Sequence, residues 1–348
     1  MAFTKTDINY AKDYQRNLEQ AFPYVLYFAE LFTTPNNGRY RWVNSNVIEI
    51  PTISTSGRVD GDRDTIGTRR RNYNLAWTPL ALTNHRTWET LVHPRDIDET
   101  NQVASIGNIT RVYNEEQKFP EMNAYCISKV FSEYMEKGGV ADDTELTEEN
   151  ILLVFDQMMT AMDDARVPRN GRVLYVTPTV RTLISNAKQI YRHIDLNSTE
   201  SAIRRAVTSI DEVKIPNSVP KDMMKTLYDF TEGWAVDEDA LQINMVLIHP
   251  MAVITPISYE FAKLDPPTAG SQGKWDYFEE SFEDVFVLPN KVSAIAFNIE
   301  NIDSKFNTVA QPTGNPSTSS YYEKVNGIYV ASADTSVVAG KTYYTKKS

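Results

Sequence analysis

VPRNGRVLYVTP, residues Val167–Pro178, holds a turn, a strand and a helix start in consecutive order. Pro168, Asn170 and Gly171 punctuate the turn. RVLYV (172–176) is an apolar run bounded by turn signals, the pattern of a buried strand. Thr177 supplies a capping oxygen for the first free N–H groups of a helix, and Pro178 suits its first position. That helix turns Val180, Leu183, Ile184 and Ala187 inward. Upstream, Thr147 opens a helix whose Ile151, Val154, Phe155, Met158 and Met162 share one face. Downstream come a short helix near 199–208, the stretch VKIP, and a strand INMVLIH (243–249) broken by Pro250. Helices alternating with strands from 140 to about 270 predict an α/β or α+β domain on a central sheet.

Outside this centre the chain is more extended. AFPYVLYFAELF (21–32) is too short to cross a membrane and reads as a buried helix or a docked arm. Residues 46–78 read as a long β-hairpin. NVIEIPTIS (46–54) is β-branched, and NYNLAWT (72–78) alternates so that Tyr73, Leu75 and Trp77 share a face. Arms of about nine residues reach roughly 30 Å at 3.3 Å per residue. A lone two-stranded ribbon is marginal in water, so this one is expected to find its missing contacts on another subunit. Its glycine-punctuated tip holds Arg58, Asp60, Asp62, Arg63, Asp64, Arg69, Arg70 and Arg71. These eight residues, with Tyr73, Leu75 and Trp77, are the candidate intersubunit contacts.

Asp98 is placed as the cap of a helix from 98 to 136, with Pro120 kinking or splitting it at Phe119. Cys126, in its apolar part, reads as a small buried hydrophobe. DYFEESFEDVFVL and KVSAIAFNI (276–299) predict two returning strands around Pro289-Asn290. QPTGNPSTSS (311–320) is a linker. Beyond it, Asn326-Gly327 marks a hairpin turn in a β appendage too small to stand alone.

The 348 residues carry 35 basic and 46 acidic side chains, a net charge of −11, and one cysteine. A single cysteine excludes an intrachain disulfide framework and any multi-cysteine metal site. The polar N-terminus, and the lack of an 18-residue uncharged apolar run, predict a protein kept in a reducing cytosol. Residues 1–100 balance 12 basic against 12 acidic groups, residues 101–300 hold 18 against 31, and residues 301–348 hold 5 against 3. An acidic body does not suit tight DNA binding, which needs clustered cations. Between Lys12 and Lys118 there are eleven arginines and no lysine. Arginine's planar, bidentate guanidinium suits ordered interface pairs.

No catalytic or cofactor motif emerges. HExxH, the Walker loop, GxGxxG and GxSxG are all absent. Asp60, Asp62 and Asp64 have the spacing of a calcium loop. Thr65, however, stands where glycine is needed and Arg71 where a bidentate glutamate is needed. His85 and His93 have Asp96 and Asp98 as nearby partners without an evident nucleophile, and His193 and His249 are isolated. Two Asn-x-Thr sequons, at Asn108 and Asn197, carry no information without a secretory signal. The expectation is a protein with no enzyme activity, no cofactor and no metal.

The order of parts resembles the major capsid protein of tailed bacteriophages, with the Hong Kong 97-type shell fold. The resemblance is firmest at Val167–Pro178 and its helix, at Val246–Val253 (VLIHPMAV), and in the closing strands at 276–300. It implies an α+β chain divided as follows: an N-terminal arm (1–45), an extended loop (46–90) and a peripheral domain with a spine helix (91–139). An axial domain (140–270) and returning peripheral strands (271–310) come next. The linker (311–320) and β appendage (321–348) end the chain.

Hexamers and pentamers of this chain would then form an icosahedral head enclosing double-stranded DNA, assembled in the host bacterial cytoplasm and found in the virion. Implied partners are a separate scaffolding protein, a portal and decoration proteins, with no membrane. Some relatives crosslink a lysine of the extended loop to a neighbour's asparagine; this loop has no lysine. An encapsulin-type nanocompartment is the alternative within the class. An oligomeric enzyme, or a phage tail or carbohydrate-binding module, is the alternative outside it.

Overall fold

The computed structural model describes residues 25–44, 46–58, 71–99, 106–187, 209–301, 306–309, 321–325, 328–332, 336–338 and 341–346. They fall into two units. One comprises residues 28–118 and 253–286; the other comprises 25–27, 119–252 and 287–348.

The second unit is built around VLYV. Strand β5 (Val173–Val176) is buried at all four positions. It pairs antiparallel with β10 (Ile243–Ile248), setting Val176 opposite Met245 and Val173 opposite Ile248. Strand β15 (Ile295–Ile299) runs antiparallel on the far side of β10. On the other side of β5 lie β7 (Val213–Lys214), parallel to it, and β6 (Ser209–Ile210). Helices α5 (Ile151–Asp164) and α6 (Pro178–Asn186) pack their apolar stripes on this sheet.

Their starts follow the local chemistry. Asn150 N–H donates to Thr147 Oγ1 at 3.3 Å and Thr147 N–H to Asn150 Oδ1 at 2.7 Å, a reciprocal box before α5. Thr177 Oγ1 accepts from Val180 N–H at the start of α6. The expected helix near 199–208 lies outside the described residues.

Arg172, read as the first strand residue, has a different task. Its side chain is fully buried and donates to Asp163 Oδ1 (2.6 Å), Val167 O (2.6 Å) and Pro168 O (3.0 Å). The turn is therefore stapled to the end of α5 by one guanidinium, whose several donors satisfy a cluster that a lysine could not.

Helix α4 (Phe119–Glu136) carries the buried Cys126, Ile127 and Val130. Buried Asn123 accepts from Tyr27 N–H and donates to Val25 O, docking Val25–Tyr27 as an arm. A small hairpin, β8 (Tyr228–Asp229) with β9 (Ala235–Val236), completes this region.

In the first unit, α1 (Ala29–Phe32) buries Leu31, preceded by buried Phe28. Strands β1 (Arg41–Asn44), β2 (Val47–Thr55) and β3 (Tyr73–Ala81) form the expected hairpin with one added strand. Strand β4 (His85–Val92) joins β12 (Ile257–Asp265) and β13 (Trp275–Glu283) in the order β12-β13-β4. Two-residue strands, β11 (Val253–Ile254) and β14 (Phe286–Val287), precede and follow that pair in the chain.

The structure corrects four expectations. Asp98 lies inside α2 (Pro94–Glu99) rather than at the start of a helix. The helical path from α3 (Ile106–Tyr113) then passes through a π turn, Asn114–Lys118, before α4. Pro120 lacks an N–H and its ring crowds the carbonyl four residues back, that of Glu116; widening the helix there relieves both.

The segments on either side of Pro289 do not share a sheet. β13 pairs with β4 and β12, whereas β15 pairs with β10. Phe297 explains the switch: it is buried against Phe131 and Tyr134 of α4, so β15 belongs to the second unit's core. Lys291, expected in a strand, is the non-helical kink between short 3₁₀ turns within Pro289–Ala294.

His85 pairs with Glu280 at 2.7 Å across the sheet and His93 Nδ1 accepts Arg95 N–H, in place of the expected Asp96; the side chain of Asp98 lies outside the described residues.

The C-terminal sheet is larger than the residues after the linker. Its order is β16 (Phe306–Val309), β19 (Tyr343–Lys346), β17 (Tyr322–Val325) and β18 (Ile328–Ala331). Strand β16 precedes the linker yet pairs with β19, Val309 opposite Tyr343. A two-stranded hairpin alone is marginal; four strands are not.

Candidate subunit interface

Strands β2 and β3 pair without a slip from Val47↔Ala81 to Thr55↔Tyr73. Directly opposed residues share a face. One face therefore carries Thr55 with Tyr73, Ile53 with Leu75, and Pro51 with Trp77. The structure brings Tyr73, Leu75 and Trp77 into one row, as the alternation requires. It leaves that row in solvent: Ile53 is 66%, Tyr73 55%, Leu75 48% and Trp77 39% exposed. Contiguous apolar exposure of this kind marks a binding surface. Among the described residues strand β3 also has an open edge, since it is last in the order β1-β2-β3.

Local pairs stiffen the ribbon. Arg41 lies opposite Glu49 and donates to its carboxylate from Nε (3.0 Å) and Nη2 (2.8 Å). Its guanidinium carbon sits 4.0 Å from the Trp77 ring centroid. Nearer the tip, Arg71 lies 5.2 Å over Tyr73. Exposed contacts of this type contribute about 0.5–1 kcal/mol each, enough to order side chains but not to hold a ribbon.

The base of the ribbon is held harder. Buried Asp284 Oδ2 accepts both Thr83 N–H (2.8 Å) and the Thr83 hydroxyl (3.1 Å), and Oδ1 accepts Val285 N–H (2.8 Å). One carboxylate thus fixes the corner between β3 and β4, from which the ribbon projects.

Among the candidate contacts, Arg58 and Arg71 are also exposed. Asp60, Asp62, Arg63, Asp64, Arg69 and Arg70 lie outside the described residues. Sequence reading missed Ile53, Arg41 and Glu49. Counting back symmetrically from the tip would have paired Ile53 with Leu75, but that count needs the register.

No three His, Cys, Asp or Glu side chains gather as a metal-holding group among the described residues. Three ionisable groups there have shifted protonation through local structural contacts. Hydrogen bonds from Arg169 and then Arg172 hold the Asp163 carboxyl below the usual range. Burial lowers the His249 pKa; its Nε2 meets Asn170 O and its Nδ1 accepts Met251 N–H, the pattern of a neutral ring. Burial, then the Glu279 carboxylate accepting its hydroxyl proton, push Tyr277 up to about 12.

No protein-family model and no curated protein matches the chain. Solved structures do. The mature capsid of bacteriophage PhiM1 superposes with a TM-score of 0.58 at 13% identity, covering 82% of this chain and 90% of that one. The capsid of cyanophage P-SCSP1u gives 0.55 at 12% identity, covering 86% and 93%. The fold is that of phage capsid proteins.

A structure from Mycobacterium phage Che8 gives 0.54 at 13% identity and is matched over 99% of its length, against 86% of this chain. The shared fold accordingly spans nearly the whole of that chain rather than one domain of it. At these identities the likeness lies in architecture, preserved while nearly all side chains differ.

Proposed function

We propose that this chain is a shell-forming major capsid protein of the Hong Kong 97 type. It would assemble through hexamers and pentamers into an icosahedral phage head around double-stranded DNA. The observation that carries this reading is the β2–β3 ribbon: a projecting, nine-pair hairpin with an uncovered apolar row, in a chain with the capsid fold. A ribbon of this kind has no function in an isolated monomer and an obvious one between copies.

In the terms of that fold, residues 46–90 are the extended loop, 91–139 the peripheral domain with its spine helix, and 140–270 the axial domain. Residues 271–310 then serve both, since β13 and β15 belong to different units. The candidate contacts Arg58–Arg71, Tyr73, Leu75 and Trp77 act in the intersubunit contact. Lysine is absent from the loop, so the shell holds together without lysine–asparagine crosslinks from that segment. A scaffolding protein, a portal and decoration proteins are the expected partners. The virion is the expected location, after assembly in the host cytoplasm.

Negative-stain microscopy and sedimentation of the purified chain, alone and co-expressed with its neighbouring structural genes, test the reading. Closed shells or capsomer rings support it. A chain that stays monomeric in every condition defeats it.

A further inference from the structure

Three Asn-Gly pairs occur in the chain, at Asn37, Asn170 and Asn326. Asparagine is a thermolabile residue, and a glycine after it has no side chain to shield its N–H. The pairs share that local chemistry, so differences between them come from the fold. Asn326 lies outside the described residues.

Asn37 is locked. Its Oδ1 accepts Thr255 N–H (2.9 Å), and its Nδ2 donates to Phe32 O (2.9 Å) and to Thr255 Oγ1 (2.9 Å). Asn170, in the turn between α5 and β5, is the opposite case. It is exposed, as is Gly171. Among the described residues, neither the Asn170 side-chain amide nor the Gly171 N–H has a hydrogen-bond partner. The fold also requires the glycine: its φ is +90°, and a Cβ there would stand 3.4 Å from His249 Nε2. The Asn170 backbone carbonyl accepts a hydrogen bond from that same Nε2 at 3.1 Å. Because His249 Nδ1 accepts Met251 N–H, Nε2 carries the ring proton. When the Gly171 amide loses its proton, the charge is shared with the Asn170 carbonyl oxygen. A donor already aimed at that oxygen stabilises it.

We propose that Asn170-Gly171 is a self-modification site, at which the exposed asparagine converts to aspartate and isoaspartate through a succinimide. Hydroxide takes the Gly171 N–H proton, and the nitrogen attacks Asn170 Cγ. The N–Cγ bond forms, the Cγ–Nδ2 bond breaks, and ammonia leaves with a proton from water. Water then opens the ring. Cleavage between the Gly171 nitrogen and Cγ gives aspartate; cleavage between that nitrogen and the Asn170 backbone carbonyl carbon gives isoaspartate. Nothing is oxidised or reduced. His249 is a positioning residue, acting on Gly171 through the carbonyl it holds. The isoaspartate product lengthens the main chain by a methylene and turns the carbonyl facing His249 into a carboxylate. Both changes fall in the turn that Arg172 staples to α5.

The full-length chain is incubated at mildly alkaline pH, folded and, in parallel, unfolded in guanidinium. Peptide mass mapping with isoaspartate-specific methylation follows each asparagine. Unfolded, Asn37 and Asn170 should convert at similar rates, because glycine follows both. Folded, Asn37 should slow about a hundredfold, since its three hydrogen bonds must break first. Asn170 should keep its unfolded rate or exceed it. Asn170→Gln, whose ring closure is far slower, should remove the signal at that site. His249→Leu should slow Asn170 conversion about fivefold, the rate equivalent of one hydrogen bond, and leave Asn37 unchanged. His249→Gln, which keeps a donor, should restore most of that loss. A folded chain in which Asn170 is as protected as Asn37 overturns the proposal. Equal rates in the Leu and Gln variants overturn the part given to His249. Neither readout depends on whether the chain forms shells.

Discussion

Strand β5 and the Tyr73-Leu75-Trp77 row of β3 are both apolar and opposite in fate. Val173–Val176 is apolar and at most 2% exposed at every position. Tyr73–Ala81 carries Tyr, Leu, Trp and Ala and is exposed at eight of nine positions. The first is paired on both edges and covered by helices from its own chain. The second is paired on one edge, with its apolar row uncovered. Both rows have the chemistry of a core. One core is finished within the chain; on the proposed reading the other is finished by a neighbour. Mutations that remove the same apolar atoms should therefore act on different properties in the two strands, and this contrast orders the predictions.

The largest loss of single-chain stability should follow Leu174→Ala. Leu174 is completely buried among Val154, Met158 and Leu247 in the second unit's core cluster. Removing a leucine side chain from such a site costs about 2–5 kcal/mol, part lost transfer and part cavity. A drop in the urea midpoint, with an unchanged slope, is the expected result.

Asp284→Ala should come next. It strips the acceptor from Thr83 N–H, the Thr83 hydroxyl and Val285 N–H in a buried corner. Leaving buried donors unmet costs about 1–3 kcal/mol. Because this corner aims the ribbon, assembly should fall further than that stability loss alone explains. If Asp284→Asn keeps stability yet assembly is still poor, the carboxylate orients the ribbon rather than merely holding the fold.

A smaller, pH-gated effect belongs to Asp163. Its folded-state pKa is depressed, first by Arg169 and then by Arg172. The pair's contribution is complete above the unfolded carboxyl value of 3.8 and is lost as pH falls through the lower folded value. Wild-type protein should lose stability in that acidic window more steeply than Asp163→Asn, which has no carboxyl to protonate. Parallel acid-titration curves for the two proteins would contradict the assigned pairing.

Much of this contrast was legible in the sequence, and the missing part has a common cause. The stretch from Thr147 to Ala187 could be read because its signals are local: a cap, a 3.6-residue stripe, a Thr-Pro start. The ribbon could be read for a similar reason, since β alternation at Tyr73, Leu75 and Trp77 is visible along one strand. Sheet membership was not legible. In DYFEESFE both faces of β13 carry an aromatic and an acid, Tyr277 with Glu279 and Phe278 with Glu280, so alternation cannot say which side is covered. Whether β15 followed β13 or β10 depended on Phe297 meeting Phe131 and Tyr134, more than 160 residues away in sequence. The break at Pro120 was readable, whereas the π turn that accommodates it was not. In each case the periodicity fixed the element, and a partner distant in sequence fixed its place.

The smallest expected effect on the single chain is the sharpest test of the comparison. Leu75→Ala removes the same atoms as Leu174→Ala, from a side chain that is already about half in water. Surface truncations away from caps, cores and ion pairs stay within about 0.5 kcal/mol. The urea midpoint of the monomer should therefore hardly move. On the proposed reading, ring and shell formation should nonetheless fall, because every interface would repeat the lost contact. Trp77→Ala goes one step further, since it also removes the surface on which Arg41 rests. It should weaken assembly more than Leu75→Ala while changing the midpoint by about the 0.5–1 kcal/mol that an exposed cation–π contact contributes. If Leu75→Ala destabilised the monomer as Leu174→Ala does, the ribbon would have a hidden partner in its own chain. The division between a finished core and an unfinished one would then fail.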